Sequence, residues 1–180
     1  MKKKLERIIE IPEGISVSFN VNEIIIKGNG KEIKKKFDIQ NINLEISGNK
    51  IIISCESATR RESRMIGTIW AHINNMIAGL KDEYVYKLEI CNVHFPMNVK
   101  VEGNNLVIKS FLGEKTPRVA KILPEVKVEV KGNEITVSSY NLESAGQTAG
   151  NIEKATKITG RDRRVFQDGI FITEKCGVKI

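Results

Sequence analysis

Aromatic surface is what this chain has least of. Phe, Trp and Tyr together make up 6% of 180 residues, with a single tryptophan. That excludes a single-strand binder built on rows of stacking rings. The cysteines are three (Cys55, Cys91 and Cys176), odd in number and widely spaced. They indicate no disulfide framework and suit a reducing compartment. No window approaches the roughly eighteen apolar residues that a membrane-spanning helix needs. Met1-Lys2-Lys3-Lys4 looks like the start of a signal peptide, but Glu6, Arg7, Glu10 and Pro12 interrupt any apolar stretch that could follow. A soluble, intracellular protein is expected, with no membrane partner.

Catalytic and metal-binding motifs are also missing. Cys91-Asn92-Val93-His94 has a Cys-x-x-His spacing, but no second ligand pair follows, and structural zinc takes four ligands. His72 lies among Trp70, Ile73 and Met76 and reads as a packing residue rather than a base. Trp70 and the methionines read as core. Asp168-Gly169 reads as a turn, since no carboxylate or histidine stands at a spacing that would make Asp168 a catalytic acid. The expectation is a protein that is not an enzyme, with no metal, no cofactor and no small-molecule substrate.

What the chain has is positive charge. The net charge is +7 and the isoelectric point near 9.3, on an ordinary background of 41% hydrophobic and 28% charged residues. Such a balance favours nucleic acid or another acidic partner. The charge is uneven. Residues 91–153 balance seven Lys and Arg against seven Glu, whereas residues 154–179 hold seven cations (Lys154, Lys157, Arg161, Arg163, Arg164, Lys175, Lys179) against three acids. These cations flank Phe166, the turn pair Asp168-Gly169 and a short apolar strand, Ile170-Phe171-Ile172. A disordered basic tail has no use for such apolar residues, so this segment is expected to be held against a folded body while presenting charge.

Short alternating segments dominate the rest. Ser16–Phe19, Glu23–Lys27, Ile42–Ile46 and Lys50–Cys55 read as strands, followed by a helix from about Thr59 to Leu80. Its apolar stripe is Met65, Ile66, Ile69, Trp70, Ile73, Ile77 and Leu80, and Thr59 with Glu62 fits a capping box. The second half repeats the order: strands at Asn98–Val101, Leu106–Lys109, Glu125–Val130 and Glu134–Ser138, then a helix from near Asn141 or Ser144 to Lys157. Leu44-Glu45-Ile46-Ser47-Gly48-Asn49 matches Val128-Glu129-Val130-Lys131-Gly132-Asn133, Ile11-Pro12 matches Phe95-Pro96, and Gly67-Thr68-Ile69 matches Gly150-Asn151-Ile152. The fold class expected is α+β: two tandem similar domains, each an antiparallel β-sheet packed against one α-helix. The first repeat is placed at 11–82 and the second, with its basic C-terminal tail, at 83–180. Residues 1–10 are expected to be a loose basic extension.

Four basic clusters are candidates for polyanion contact. Arg60, Arg61 and Arg64 open the first helix, where they either await an anion at the helix N-terminus or are simply solvated. Lys31, Lys34, Lys35 and Lys36 sit in what reads as a turn before Phe37, either as a solvated face or as an RNA contact. The loop Phe111–Arg118, continuing to Lys121, carries Lys115, Arg118 and Lys121 at the rim of a glycine-containing turn. The fourth and densest comprises Lys157, Arg161, Arg163, Arg164 and Lys175. Arginine forks onto phosphate oxygens, so RNA is the partner these residues suit best. Phe166 and Phe171 are expected to anchor the tail, and Asp168 and Gly169 to shape it. A protein-interaction scaffold is the other class that tandem α+β domains fit.

The motifs also carry a resemblance. His94-Phe95-Pro96-Met97-Asn98-Val99, Phe111-Leu112-Gly113-Glu114-Lys115 and the run from Arg161 to Lys175 resemble the archaeal and eukaryotic branch of the universal large-subunit ribosomal protein number six. His72–Ile77 and Tyr86-Lys87 add to it, and the likeness covers nearly the whole chain. It implies a structural, cytoplasmic component of the large ribosomal subunit. The implied partners are large-subunit ribosomal RNA near the sarcin–ricin loop and neighbouring ribosomal proteins at the stalk base, with the second domain and tail as the main RNA-bound part.

Overall fold

The structure, a computed structural model, describes residues 3–20, 23–37 and 41–180. The chain divides into two units, Met1–Asp82 and Glu83–Ile180. Both are α+β, and in each the strands are shared between two antiparallel sheets.

In the first unit, β1 (Lys3–Glu10), β6 (Lys50–Ala58) and β5 (Asn43–Ser47) form one sheet in that order. The other sheet is β2 (Ile15–Asn20), β3 (Glu23–Gly28) and β4 (Lys31–Lys36). Period-two alternation drives β6 inward through Ile51, Ile53 and Cys55. The helix α1 (Arg60–Lys81) lays Ile66, Ile69, Ile73, Met76 and Leu80 on the core. Its N-terminus is closed by the Thr59–Glu62 capping box, and at the other end Asn29 Nδ2 donates to the Leu80 carbonyl at 2.8 Å.

Three expectations fail in this unit. Residues 3–10 are no extension: they are β1, in register with β6 from Glu10↔Lys50 to Leu5↔Cys55 and burying Ile9 (Met1 and Lys2 lie outside the described residues). The charges that made the segment look loose belong to the exposed positions of a sheet-edge strand. Lys31–Lys36 is likewise a strand rather than a turn, with Ile33 buried and the lysines along an open edge. Lysine on an edge strand deters pairing with another chain. Trp70 is not core either; it is 38% exposed, with the Arg7 guanidinium 5.4 Å above its ring.

The second unit repeats this plan. β7 (Tyr84–Cys91), β12 (Glu134–Ser139) and β11 (Lys127–Lys131) reproduce the sheet of β1, β6 and β5. β8 (Asn98–Glu102), β9 (Asn105–Lys109) and β10 (Arg118–Lys121) reproduce the other. The helix α2 (Leu142–Ala155), capped by Asn141, covers the core with Ala145, Thr148, Ala149 and Ile152. An addition distinguishes this unit: β13 (Gly169–Lys175) pairs with the free side of β7 and continues into β14 (Val178–Lys179). The short strand expected at Ile170–Ile172 is therefore present and longer, running over Gly169–Lys175 within the sheet, with Ile170 fully buried.

Candidate nucleic-acid interface

Three loops of the second unit converge near the C-terminal end of α2. They are residues 92–97 after β7, residues 111–118 before β10, and residues 157–168 between α2 and β13.

Asp168 organises the meeting. Its carboxylate is 1% exposed, and Oδ1 accepts from the backbone N–H groups of Val93 and His94, both at 2.8 Å. Oδ2 lies 2.6 Å from His94 Nδ1. Burial alone would raise the Asp168 pKa, but the hydrogen bonds from His94 and Val93 win and hold it down to about 2. His94 stacks on Phe166, with ring centroids 5.0 Å apart, and the Arg161 guanidinium sits 4.8 Å from the Phe166 centroid. Arg161, Phe166, His94 and Asp168 thus form one connected stack. Asp168-Gly169 is consequently not the turn its sequence resembles, because the missing partner, His94, arrives from a distant loop. Gly169 is needed for a close approach: a Cβ there would lie 2.9 Å from Cζ of Phe171.

Arg118 is spent internally. Nε and Nη2 fork onto the two oxygens of Glu114 at 2.8 and 2.6 Å. Nη1 donates to the Ala155 and Lys157 carbonyls at 2.9 and 3.2 Å, which caps the end of α2. Its planar face covers Phe111 at 4.3 Å. The hydrogen bond from Arg118 holds the Glu114 carboxyl below its usual range against some desolvation, and the Arg161 charge adds to the effect. So Arg118 ties the 111–118 loop to the helix end, with little left for phosphate.

The remaining cations differ in kind. Lys115, Lys121, Lys157, Arg161, Arg163 and Arg164 are all exposed. Arg164 approaches Asp162 at 3.5 Å while its side chain stays 93% exposed, so this pairing is weak. Lys154, Lys157 and Arg163 line a cleft of about 630 Å³ and make no ion pair among the described residues. Exposed Val93, Phe95 and Val165 stand among these charges. Lys175 is not part of the group. It lies at the far end of β13, roughly 20 Å along the strand from Gly169 at about 3.3 Å per residue.

In the first unit, Arg60, Arg61 and Arg64 are exposed on the first turns of α1, where Glu62 already meets the helix dipole. Lys34 pairs with Glu32 at 3.3 Å and Lys35 approaches His72 Nδ1 at 3.2 Å. Sequence reasoning missed His94, Glu114 and Thr156. Thr156 Oγ1 accepts from Ile170 N–H at 2.9 Å and so pins the start of β13 to the end of α2. Cys91-x-x-His94 belongs to no metal cluster among the described residues.

The duplicated plan is met in a known family. The description "Ribosomal protein L6" matches residues 11–83 and again residues 95–169, one match per repeat. The chain belongs to the ribosomal protein L6 family. A large ribosomal subunit protein uL6 from Methanosarcina mazei is 47% identical over 176 residues, covering 98% of this chain and all of the relative. Proteins of the same name from Methanococcus vannielii and Methanobrevibacter smithii are 44% and 46% identical, over 94% and 93% of this chain. The L6 family is one of ribosomal proteins and not of enzymes.

Proposed function

We propose that this chain is a structural constituent of the large ribosomal subunit, in the cytoplasm, and binds large-subunit ribosomal RNA through its second unit. The observation that carries this is the set of exposed cations at the end of α2, which the fold positions but does not neutralise. Lys115, Lys121, Lys157, Arg161, Arg163 and Arg164 would meet phosphate and sugar oxygens. Arg118, Asp168, Gly169, Phe166 and Phe171 would hold the loops that carry them. The uL6 relatives are named as large-subunit proteins, and their likeness spans both units. The finer placement in this proposal is the factor-binding region, next to the sarcin–ricin loop, with ribosomal proteins of the stalk base as neighbours. Arg60, Arg61, Arg64 and Lys175 would be secondary contacts.

The test is the salt dependence of affinity for large-subunit ribosomal RNA. Replacing Arg161, Arg163 and Arg164 with Ala should weaken binding and flatten the log–log slope by roughly 0.7–0.9 for each phosphate no longer neutralised. Arg118→Met should lower stability yet leave the slope unchanged, because that guanidinium is already occupied. An unchanged slope in the triple variant would remove the 157–168 loop from the interface. Nucleotide-resolution crosslinking that finds no contact near the sarcin–ricin loop would remove the finer placement.

A further inference from the structure

The two helices carry glycine at matching places, Gly67 in α1 and Gly150 in α2, but the space beside them is used differently. Beside Gly67 the gap is closed from within: a Cβ there would be 3.8 Å from the Arg7 guanidinium, which also covers Trp70. Beside Gly150 there is nothing within 4 Å, and the glycine opens instead onto the 630 Å³ cleft. A glycine inside a helix costs backbone entropy relative to alanine, and no contact within this unit requires it here. The open space is therefore the feature to be explained.

The lining indicates what would fill it. Lys154, Lys157 and Arg163 line it, none of them paired among the described residues, and Glu153 lines it too. Phe166 and Phe171 add aromatic rings to the lining. The volume is that of a ligand rather than of a lone phosphate, and it combines an apolar wall with three cations. A continuous duplex cannot enter such a recess, whereas a nucleotide turned out of its stack can put its base against the rings and its phosphate among the cations.

We propose that the cleft beside Gly150 receives one unstacked nucleotide of the bound ribosomal RNA. This rests on the RNA-binding reading and adds a built site to it. In the first repeat Arg7 occupies the corresponding gap, and in the second the RNA supplies the occupant.

Cys91 lines the cleft and reports on it directly. Burial, with Glu89 and Asp168 near by, pushes its thiol pKa up, so alkylation is followed at mildly alkaline pH by mass spectrometry of the full chain. The probes are large-subunit ribosomal RNA, a single-stranded RNA dodecamer, a blunt-ended duplex of two complementary RNA hexamers, and adenosine monophosphate. Ribosomal RNA and the single strand should each slow Cys91 alkylation about tenfold relative to the duplex, in keeping with the worth of one base–aromatic contact. Gly150→Leu, which fills the cleft without changing charge, should weaken binding of the single strand about tenfold and leave the duplex unaffected. If ribosomal RNA binds with full affinity while Cys91 reacts at the free rate, the cleft is empty in the complex and the proposal fails while the RNA-binding reading stands. Absence of any RNA binding takes down both. Protection by adenosine monophosphate equal to that by the polymers would overturn the assignment to RNA.

Discussion

At the residue scale, Asp168 shows how a buried carboxylate can shape a cationic surface. It gathers two backbone amides and one imidazole and so fixes the loop that carries His94 and, through Phe166, the position of Arg161. A carboxyl held at about 2 in the folded protein and near 3.9 when unfolded stabilises the fold fully above about pH 4. That contribution is lost as the pH falls from about 4 through 2. Asp168→Asn should therefore flatten the pH dependence of unfolding free energy over that window, as read by urea titrations at a series of pH values. It should also cost stability at neutral pH, by about 1–3 kcal/mol, because buried donors are left with a weaker acceptor. If the variant and the natural chain lose stability in parallel down to pH 2, the depressed Asp168 carboxyl is not what the acid limb reports.

At the scale of elements, α2 offers an internal comparison. Gly146 and Gly150 share one helix, but a Cβ at Gly146 would come 3.1 Å from the Tyr86 hydroxyl, whereas Gly150 faces open space. Gly150→Ala should stabilise the free protein by about 0.5–1 kcal/mol. Gly146→Ala should forfeit most of that gain, since the buried Tyr86 ring must give way. Thermal unfolding of the two variants decides it, and equal midpoints would mean that Tyr86 yields freely. These helices were legible from sequence, because a 3.6-residue stripe and an N-cap are local signals: Thr59 and Asn141 both cap where the pattern begins. So were the strands with a clear inward alternation, such as β6 and β12. The strands β1, β4, β7 and β10 were not. In β1 and β4 the charges sit on open edges and hide one or two buried apolar positions. β7 was obscured because it directly follows the helix, and β10 has only four residues. The site divides the same way: a count of lysines and arginines located the cationic segment. It could not show that Arg118 is already occupied, nor that His94 closes on Asp168, since both facts depend on loops distant in sequence.

At the scale of the whole molecule, the duplication makes each unit complete in its own sheets and helix, so the damage from losing an element should stay within one unit. Deleting residues 1–10 removes β1 and uncovers the flank of β6, along which Ile51 and Ile53 are fully buried. The first unit should then unfold while hydrogen exchange in residues 83–180 remains slow, and uniform loss of protection in both would contradict that independence. The second unit carries a different burden. Its strand β7 takes one partner from β12 and the other from β13, which arrives only after α2 and the cationic loop. During synthesis β7 therefore emerges with both flanks bare, gains β12 first, and keeps its other flank open until nearly the whole unit has been translated. The cationic surface proposed to grip RNA is thus among the last parts to take shape, and a newly made chain passes through a stage in which its positive charges are out while the strand meant to seat them has not yet docked.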